Sequence, residues 1–254
     1  MTLPRRVAGG PGQVREDADL ETSSDGYARR FAGPVGQWFL EVQAQSTLEL
    51  LRGLAPGSSI LDVGGGHGQI APSLLSAGHS VTIVGSSPEC GAHLGERLDG
   101  AAYRFEVADL RALPYPDRAF TAVTCFRLLP HSVDWRHLLG ELCRVADLAV
   151  VADYPSIRSV NQFANQFFTF KRKVERNTRP FELFDPREIE AEFGRHGFEV
   201  RAERPQFLLP MVLYRMAGSR RLARIAERPG RWLRLTRYFG SPVIVRADRR
   251  PGTP

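Results

Sequence analysis

Lysine is almost missing from this chain. Lys171 and Lys173 are the two among 254 residues, so the formal charge of +6 is an arginine charge. It is also uneven. Residues 1–200 carry 21 basic and 25 acidic side chains, whereas residues 201–254 carry 13 arginines and 3 acids, a local balance of +10. Such a stretch can attract nucleic acid, an anionic membrane or an acidic substrate. It equally describes a solvated face in a genome that favours arginine codons. Cysteine is scarce too. Cys90, Cys125 and Cys143 form no CxxC pair and no His/Cys cluster with zinc spacing. That pattern leads away from a zinc module and toward free thiols in a reducing compartment, so the cytoplasm is the expected location. No run of about 18 apolar residues exists, which removes a spanning helix. The N-terminal stretch is polar and glycine-rich, without the apolar core of a secretory signal. It reads as a flexible leader over residues 1–25. Internal repeats and low-complexity tracts are absent.

What is present is a hydrophobic share of 43%, enough for one domain over residues 26–254. VGQWFLEVQAQSTLELLRGL, between Gly33-Pro34 and Pro56-Gly57, has the punctuation of a helix. Short apolar runs then recur near Leu61, Ile83, Phe105, Val123 and Val150, with helical patterns between most of them. Continuous apolar runs alternating with helices are the signature of a parallel sheet buried on both faces. SPECGAHLGERL is predicted to be one of those helices. Beyond Pro155, SIRSVNQFANQFFTFKRKVER reads as an aromatic-rich helix, and residues 156–184 as a helical cap. DPREIEAEFGRHGFEVRAE reads as helix, turn at Gly197 and strand. Residues 211–240 read as a basic helical insertion broken at Pro229-Gly230, and SPVIVRA as a last strand.

The chemistry concentrates at ILDVGGGHG. In open parallel sheets, ligands bind beyond the carboxyl ends of the strands, where strand order reverses. Glycines there let the backbone turn and approach a ligand. A dinucleotide fingerprint fails because Gln69 holds its third glycine position, and no Walker lysine follows. The spacing is Asp62-x-Gly64-x-Gly66-x-Gly68.

With these residues the chain resembles the S-adenosylmethionine-dependent methyltransferases of Rossmann-like fold, and within them the ubiquinone and menaquinone biosynthesis subgroup. The likeness spans about residues 58–152, with weaker support at 185–203. It implies S-adenosylmethionine as cofactor and residues 58–155 as the cofactor-binding half. Asp62 matches the acid that holds the glycine loop near the methionine moiety, and Gly64, Gly66 and Gly68 match the loop. Asp109, flanked by Ala108 and Leu110 and followed by LPYPD, matches the residue that meets the adenine amino group; by itself it also reads as a helix cap. Phe126 and Arg127 match the end of the fourth strand, beside the sulfonium. The family's second strand usually ends in an acid that binds both ribose hydroxyls. Here Gly85 stands at that place, leaving Ser86, Ser87 or a reach-back from Glu89. The expected fold is α/β: a doubly wound, mostly parallel seven-stranded sheet flanked by helices, with an antiparallel last strand and a helical cap or insertion.

For a sulfonium donor the protein's main work is alignment and exclusion of water. His131 is the candidate general base, with a solvated loop histidine as the plain alternative. His67 is expected at the loop surface. Tyr154, Phe163 and Phe167 are candidate substrate contacts, and Asp153 is expected to point the same way as Tyr154; capping or packing is the plain alternative for the strand pair, and packing on the sheet for the phenylalanines. Tyr27 and Arg30 are candidates to cover the cofactor, with plain packing as the equal alternative. CFRLLPH replaces the Asn-Pro-Pro-Tyr associated with amino-group methylation, and no carboxylate cluster suggests a magnesium site. Elimination leaves an oxygen or carbon acceptor on a small or lipid-like molecule. The basic segment 215–237 alternates Arg with Leu, Ile and Trp232, as an interfacial helix does on an anionic membrane. The alternatives are a non-catalytic relative that binds a partner, and a nucleic-acid methyltransferase, for which no RNA-binding module is visible.

Overall fold

The computed structural model describes residues 17–66, 68–98, 100–159 and 181–252. His67, Phe163 and Phe167 lie outside the described residues, as does most of the expected cap. Seven strands form one sheet in the order β3-β2-β1-β4-β5-β7-β6. They are β1 Ser59–Val63, β2 Ser80–Gly85, β3 Tyr103–Val107, β4 Phe120–Cys125, β5 Ala146–Tyr154, β6 Phe198–Phe207 and β7 Ser241–Arg249. The strands β1 to β5 pair in parallel, and β7 runs antiparallel between β5 and β6. This is the mostly parallel sheet with an antiparallel last strand that the alternation and the resemblance imply.

The described helices are α1 Ala18–Thr22, α2 Asp25–Ala28, α3 Gly33–Leu51, α4 Ala71–Ser76, α5 Leu94–Arg97, α6 Trp135–Val145, α7 Pro186–Arg195, α8 Met211–Met216, α9 Arg220–Trp232 and α10 Leu235–Phe239. Local chemistry starts two of them. The Asp134 carboxylate accepts from the His137 N–H at α6, and the Asp185 carboxylate from the Arg187 N–H at α7, where Pro186 occupies the first helical position. Each such cap contributes about 1 kcal/mol.

Side chains alternate across the sheet, so each strand feeds two cores. Leu61, Val123, Val150 and Tyr154 pack on one face with α6 and α7. Ile60, Ala122 and Val151 pack on the other with α3 and α4. Burying each Leu, Ile or Val contributes roughly 1.5–3 kcal/mol. A third cluster, Trp38, Phe39, Phe207 and Tyr214 meeting edge to face, fastens α8 to α3 and β6.

Three expectations are corrected. SPECGAHLGERL is not one helix: a 3-10 turn at Pro88–Gly91 precedes the four-residue α5. Gly91 presses on Phe105, where a Cβ would lie 2.5 Å from the ring, and Gly91 and Gly95 both weaken a helix. The leader does not extend to residue 25: α1 is helical, and Ala18 packs in the core among Leu110, Leu113 and Leu128. The basic stretch does not break at Pro229-Gly230. The helix α9 runs through both residues, and the chain turns instead at Arg234, with φ 59°. Gly230 permits this course because a Cβ there would meet Leu208 Cδ2 at 2.5 Å.

The helix α9 turns a small-residue stripe inward and its large apolar residues outward. Ala223, Glu227 and Gly230 face the body, while Leu222, Ile225 and Trp232 face solvent. Glu227, 2% exposed, draws the helix down. Its carboxylate accepts from the Leu208 N–H at 3.2 Å, from the Thr236 hydroxyl at 2.8 Å and from the Tyr214 hydroxyl.

Candidate functional site

The carboxyl ends of the first four strands finish level. Val63 lies beside Val84 and Cys125, and Gly85 beside Val107. Strand order reverses at β1, so the crevice opens where the sequence pattern places it. The chain leaving β1 turns at Gly64, φ 72°, whose N–H donates to the Val84 carbonyl at 2.8 Å. It turns again at Gly68, φ 57°, whose N–H donates to the Gly65 carbonyl at 2.7 Å. Both conformations favour glycine. Between them the loop folds over Asp62: a Cβ at Gly65 would lie 1.9 Å from Asp62 Oδ2. A Cβ at Gly66 would meet the Cys90 carbonyl oxygen at 2.2 Å.

Asp62 is buried beneath this turn. Its Oδ1 accepts from the hydroxyl of Thr124, its register partner on β4, at 2.8 Å. Among the described residues its Oδ2 has no hydrogen-bond partner, and neither does Gln69 Oε1; both residues line a small cavity beside the glycine turn. Burial pushes the Asp62 carboxyl up to about 7, against the pull of the Thr124 hydroxyl and the Arg127 charge. A buried acceptor left open is costly unless something completes it. Its position beneath a glycine turn suits a positively charged N–H donor.

Arg127 forms the opposite wall. It has φ 58°, and its backbone N–H donates to Asp153 Oδ1 at 2.5 Å. Its guanidinium donates to Gln43 Oε1 at 2.6 Å and lies over the Phe31 ring, with 4.8 Å from Cζ to the ring centroid. One residue thus ties the end of β4 to β5 and α3. Burial pushes the Asp153 carboxyl up to about 6, opposed by the Arg127 charge and N–H. Gln43, Ile70 and Phe126 complete the cavity lining.

The structure brings Asp62 and Gly64 together with Phe126 and Arg127 around one cavity, while Gly66 abuts Cys90 and Gly68 abuts Leu94. Gly85 ends β2 and Ser86 follows it, and Ala108, Asp109 and Leu110 follow the end of β3. Asp109 Oδ1 accepts from the Arg111 N–H at 3.0 Å, a turn-forming bond. Glu89 is exposed. The Ser86 N–H donates to Asp19 of α1 at 2.6 Å. His131 stands on the 3-10 turn Leu129–His131, between Tyr27 and Phe181, with ring centroids at 6.5 and 5.5 Å. Arg30 lies over the Tyr27 ring at 4.8 Å. None of His131, Tyr27, Phe181 and Arg30 lines the cavity.

Tyr154 is a correction. It is fully buried against Phe184, and its hydroxyl donates to Glu203 at 2.8 Å, so it does not face a substrate mouth. Adjacent strand residues point to opposite faces. Asp153 takes the site face, and Tyr154 must take the other. Sequence reasoning also missed Gln43, Gln69 and Asp19. Gln43 carried a signal: it stands at four-residue spacing with Phe39 and Thr47 on the buried stripe of α3. Asp19 carried none. Among the described residues, no group of three or more His, Cys, Asp and Glu is arranged to hold a metal ion.

Residues 60–147 match the family model described as a methyltransferase domain. The chain is 32% identical over 117 residues to 27-O-demethylrifamycin SV methyltransferase of Amycolatopsis mediterranei, covering 42% of each protein. It is 38% identical over 91 residues to a demethylmenaquinone methyltransferase of Deinococcus radiodurans, covering 34% of this chain and 37% of the relative. The matched stretch thus spans less than half the length of these curated relatives. In fold, the chain is similar to magnesium protoporphyrin IX methyltransferase from Synechocystis, solved with bound S-adenosylhomocysteine. That likeness has a TM-score of 0.63 at 16% identity and covers 91% of this chain and 98% of that one.

Proposed function

From the match of residues 60–147 to a methyltransferase domain model, we propose methyl transfer from S-adenosylmethionine to a small or lipid-like molecule, at oxygen or carbon. One observation carries the reading: the buried Asp62 Oδ2 without a partner, beneath the glycine turn, beside Gln69 Oε1. These acceptors fit the ammonium of a methionine moiety. Residues 58–155 serve as the cofactor-binding half. Asp62, Gly64, Gly66 and Gly68 hold the methionine portion, while Ala108, Asp109 and Leu110 face the adenine. Phe126 and Arg127 wall the sulfonium end, and Arg127 holds Asp153 and Gln43 in place.

When bound, S-adenosylmethionine supplies an activated methyl group, so the protein's contribution is alignment and dryness. The apolar Ile70 and Phe126 exclude water, and Gln43 and Asp153 fix the Arg127 wall. The curated relatives are named for small-molecule acceptors, 27-O-demethylrifamycin SV and demethylmenaquinone, which supports a small-molecule acceptor here. His131 remains the candidate base for an acceptor that must lose a proton, being placed just past the Arg127 wall with Tyr27 and Phe181 around it.

Calorimetry with S-adenosylhomocysteine tests the cofactor reading; no heat at millimolar ligand sinks it. Acceptors are found by incubating the protein with S-adenosylmethionine and candidate phenols, quinols and lipids, then reading products gained by one methyl group. Replacing His131 with Asn should lower kcat on a weakly acidic phenol and leave the cofactor's Kd unchanged.

A second reading concerns where the acceptor is met. Leu222, Ile225, Trp232, Tyr238 and Phe239 are exposed on α9 and α10 among seven arginines from Arg220 to Arg237, and Trp232 is 83% exposed. An apolar face ringed by arginine suits contact with an anionic bilayer, and so a lipid-like acceptor. Flotation with phosphatidylglycerol vesicles tests it, and absence of salt-sensitive binding removes it.

A further inference from the structure

The end of β2 has no side chain with which to receive a ribose, because Gly85 stands there. It also has no room for one. A Cβ at Gly85 would lie 2.8 Å from Cys90 Cβ and 3.3 Å from the Phe105 ring. The same Cβ would lie 3.4 Å from Asp19 Oδ2, within the reach of a glutamate side chain rooted at residue 85. Asp19 Oδ2 therefore lies at a distance from residue 85 that a strand-end acid's own carboxylate would span.

The carboxylate is held there. It is fully buried, and its Oδ2 accepts from the Ser86 N–H at 2.6 Å and from the Cys90 thiol at 3.2 Å. Its Cβ lies 3.5 Å from where a Gly64 Cβ would be, which puts Asp19 between the glycine turn and the end of β2. Ala18, beside it, packs with Leu110 and Leu128 and seats α1 on the crevice. Burying a carboxylate is expensive unless its surroundings or a ligand make use of it.

We propose that Asp19 replaces the missing strand-end acid and accepts hydrogen bonds from the ribose hydroxyls of the cofactor. The helix α1 is then part of the cofactor site. This rests on the S-adenosylmethionine reading above, and it explains how a chain with Gly85 retains a charged acceptor for the ribose.

Calorimetry on the full chain tests it, with S-adenosylhomocysteine and its 2′-deoxyribose analogue as probes. The wild type should prefer the ribose compound by about 10- to 100-fold, the range of one hydrogen bond to a charged group. In Asp19→Asn and Asp19→Ser, that preference should fall to within about threefold, because the charged acceptor is gone. The ratio is insensitive to any loss of folded fraction, since both ligands report on the same folded molecules. Variants that keep the wild-type ratio overturn the proposal, as do variants that bind the ribose compound more tightly, which would make α1 a competitor of the cofactor. A wild type that binds neither compound overturns the cofactor reading itself.

Discussion

Two buried carboxylates, Asp62 at the end of β1 and Glu227 in the middle of α9, meet their surroundings in opposite ways. Glu227 accepts from Leu208, Tyr214 and Thr236, so both its oxygens are engaged. Asp62 has Thr124 on one oxygen and, among the described residues, no partner on the other. Both are nearly inaccessible, so burial alone does not separate a structural acid from a functional one. The number of acceptor sites left open does. Glu227 is an anchor that fixes how α9 lies. Asp62 is a socket that the fold leaves incomplete.

Substitution of each should therefore fail in a different measurement. Glu227→Ala strands three donors, and each buried orphan costs about 1–3 kcal/mol. The unfolding free energy should drop by about 3 kcal/mol or more, lowering Tm by roughly 6–12 °C in a domain this size. Affinity for S-adenosylhomocysteine should stay within about twofold. A large loss of affinity with unchanged Tm would break the contrast. Asp62→Asn should do the reverse. Loss of a charged partner for the ligand ammonium should weaken S-adenosylhomocysteine by about 10- to 100-fold. The Tm of the unliganded variant at pH 8 should not fall, because the buried charge is removed.

The contrast sharpens with pH. Burial holds the folded-state Asp62 carboxyl at about 7 and that of Asp153 at about 6, against an ordinary value of 3.8. A raised folded value favours the folded state while the group is protonated. That contribution is complete below 3.8 and is lost as pH climbs through about 6 and 7. The unliganded protein should therefore lose stability over that window. Ligand binding should show the opposite slope. An ammonium needs the ionised carboxylate, so affinity should fall by up to about tenfold per unit below pH 7 and level off above it. Buffers of different ionisation enthalpy should reveal proton release on binding at pH 6. Neither effect should survive in Asp62→Asn beyond the share owed to Asp153.

The smallest effect belongs to the outer face of α9. Arg224→Glu with Trp232→Ser should weaken binding to anionic vesicles by about 1–3 kcal/mol, with Tm and cofactor affinity unmoved. Equal flotation of variant and wild type would return this face to the plain role of a solvated surface.

The contrast also shows what was legible in the sequence. The strands β1, β2, β4 and β5 are largely apolar runs ended by turn residues, a pattern with few other solutions, whereas the edge strand β3 alternates Arg104 and Glu106 with Phe105 and Val107. The glycine turn was legible because its positive φ angles admit few other residues. The orientation of α9 was not. Its inward stripe contains Glu227, and composition alone would turn a stripe with a charge outward. Nor was the broken helix at Pro88–Arg97, which yields to the Phe105 ring arriving from β3. Tyr154 is a different case, because period-two alternation already separates it from Asp153. Asp19 was invisible for a simple reason: its partner Ser86 is 67 residues away, and no local pattern records a contact of that span.

That span has a consequence for how the molecule is made. Synthesis runs from the N-terminus, so α1 is produced before every strand it will touch. It is five residues long, too short to persist alone in water. It docks only once Cys90 and Leu128 have taken their places, so one wall of the crevice is completed by residues made before the strands they cover. A nascent chain halted between residues 30 and 90 would have its Asp19 and no site in which to put it.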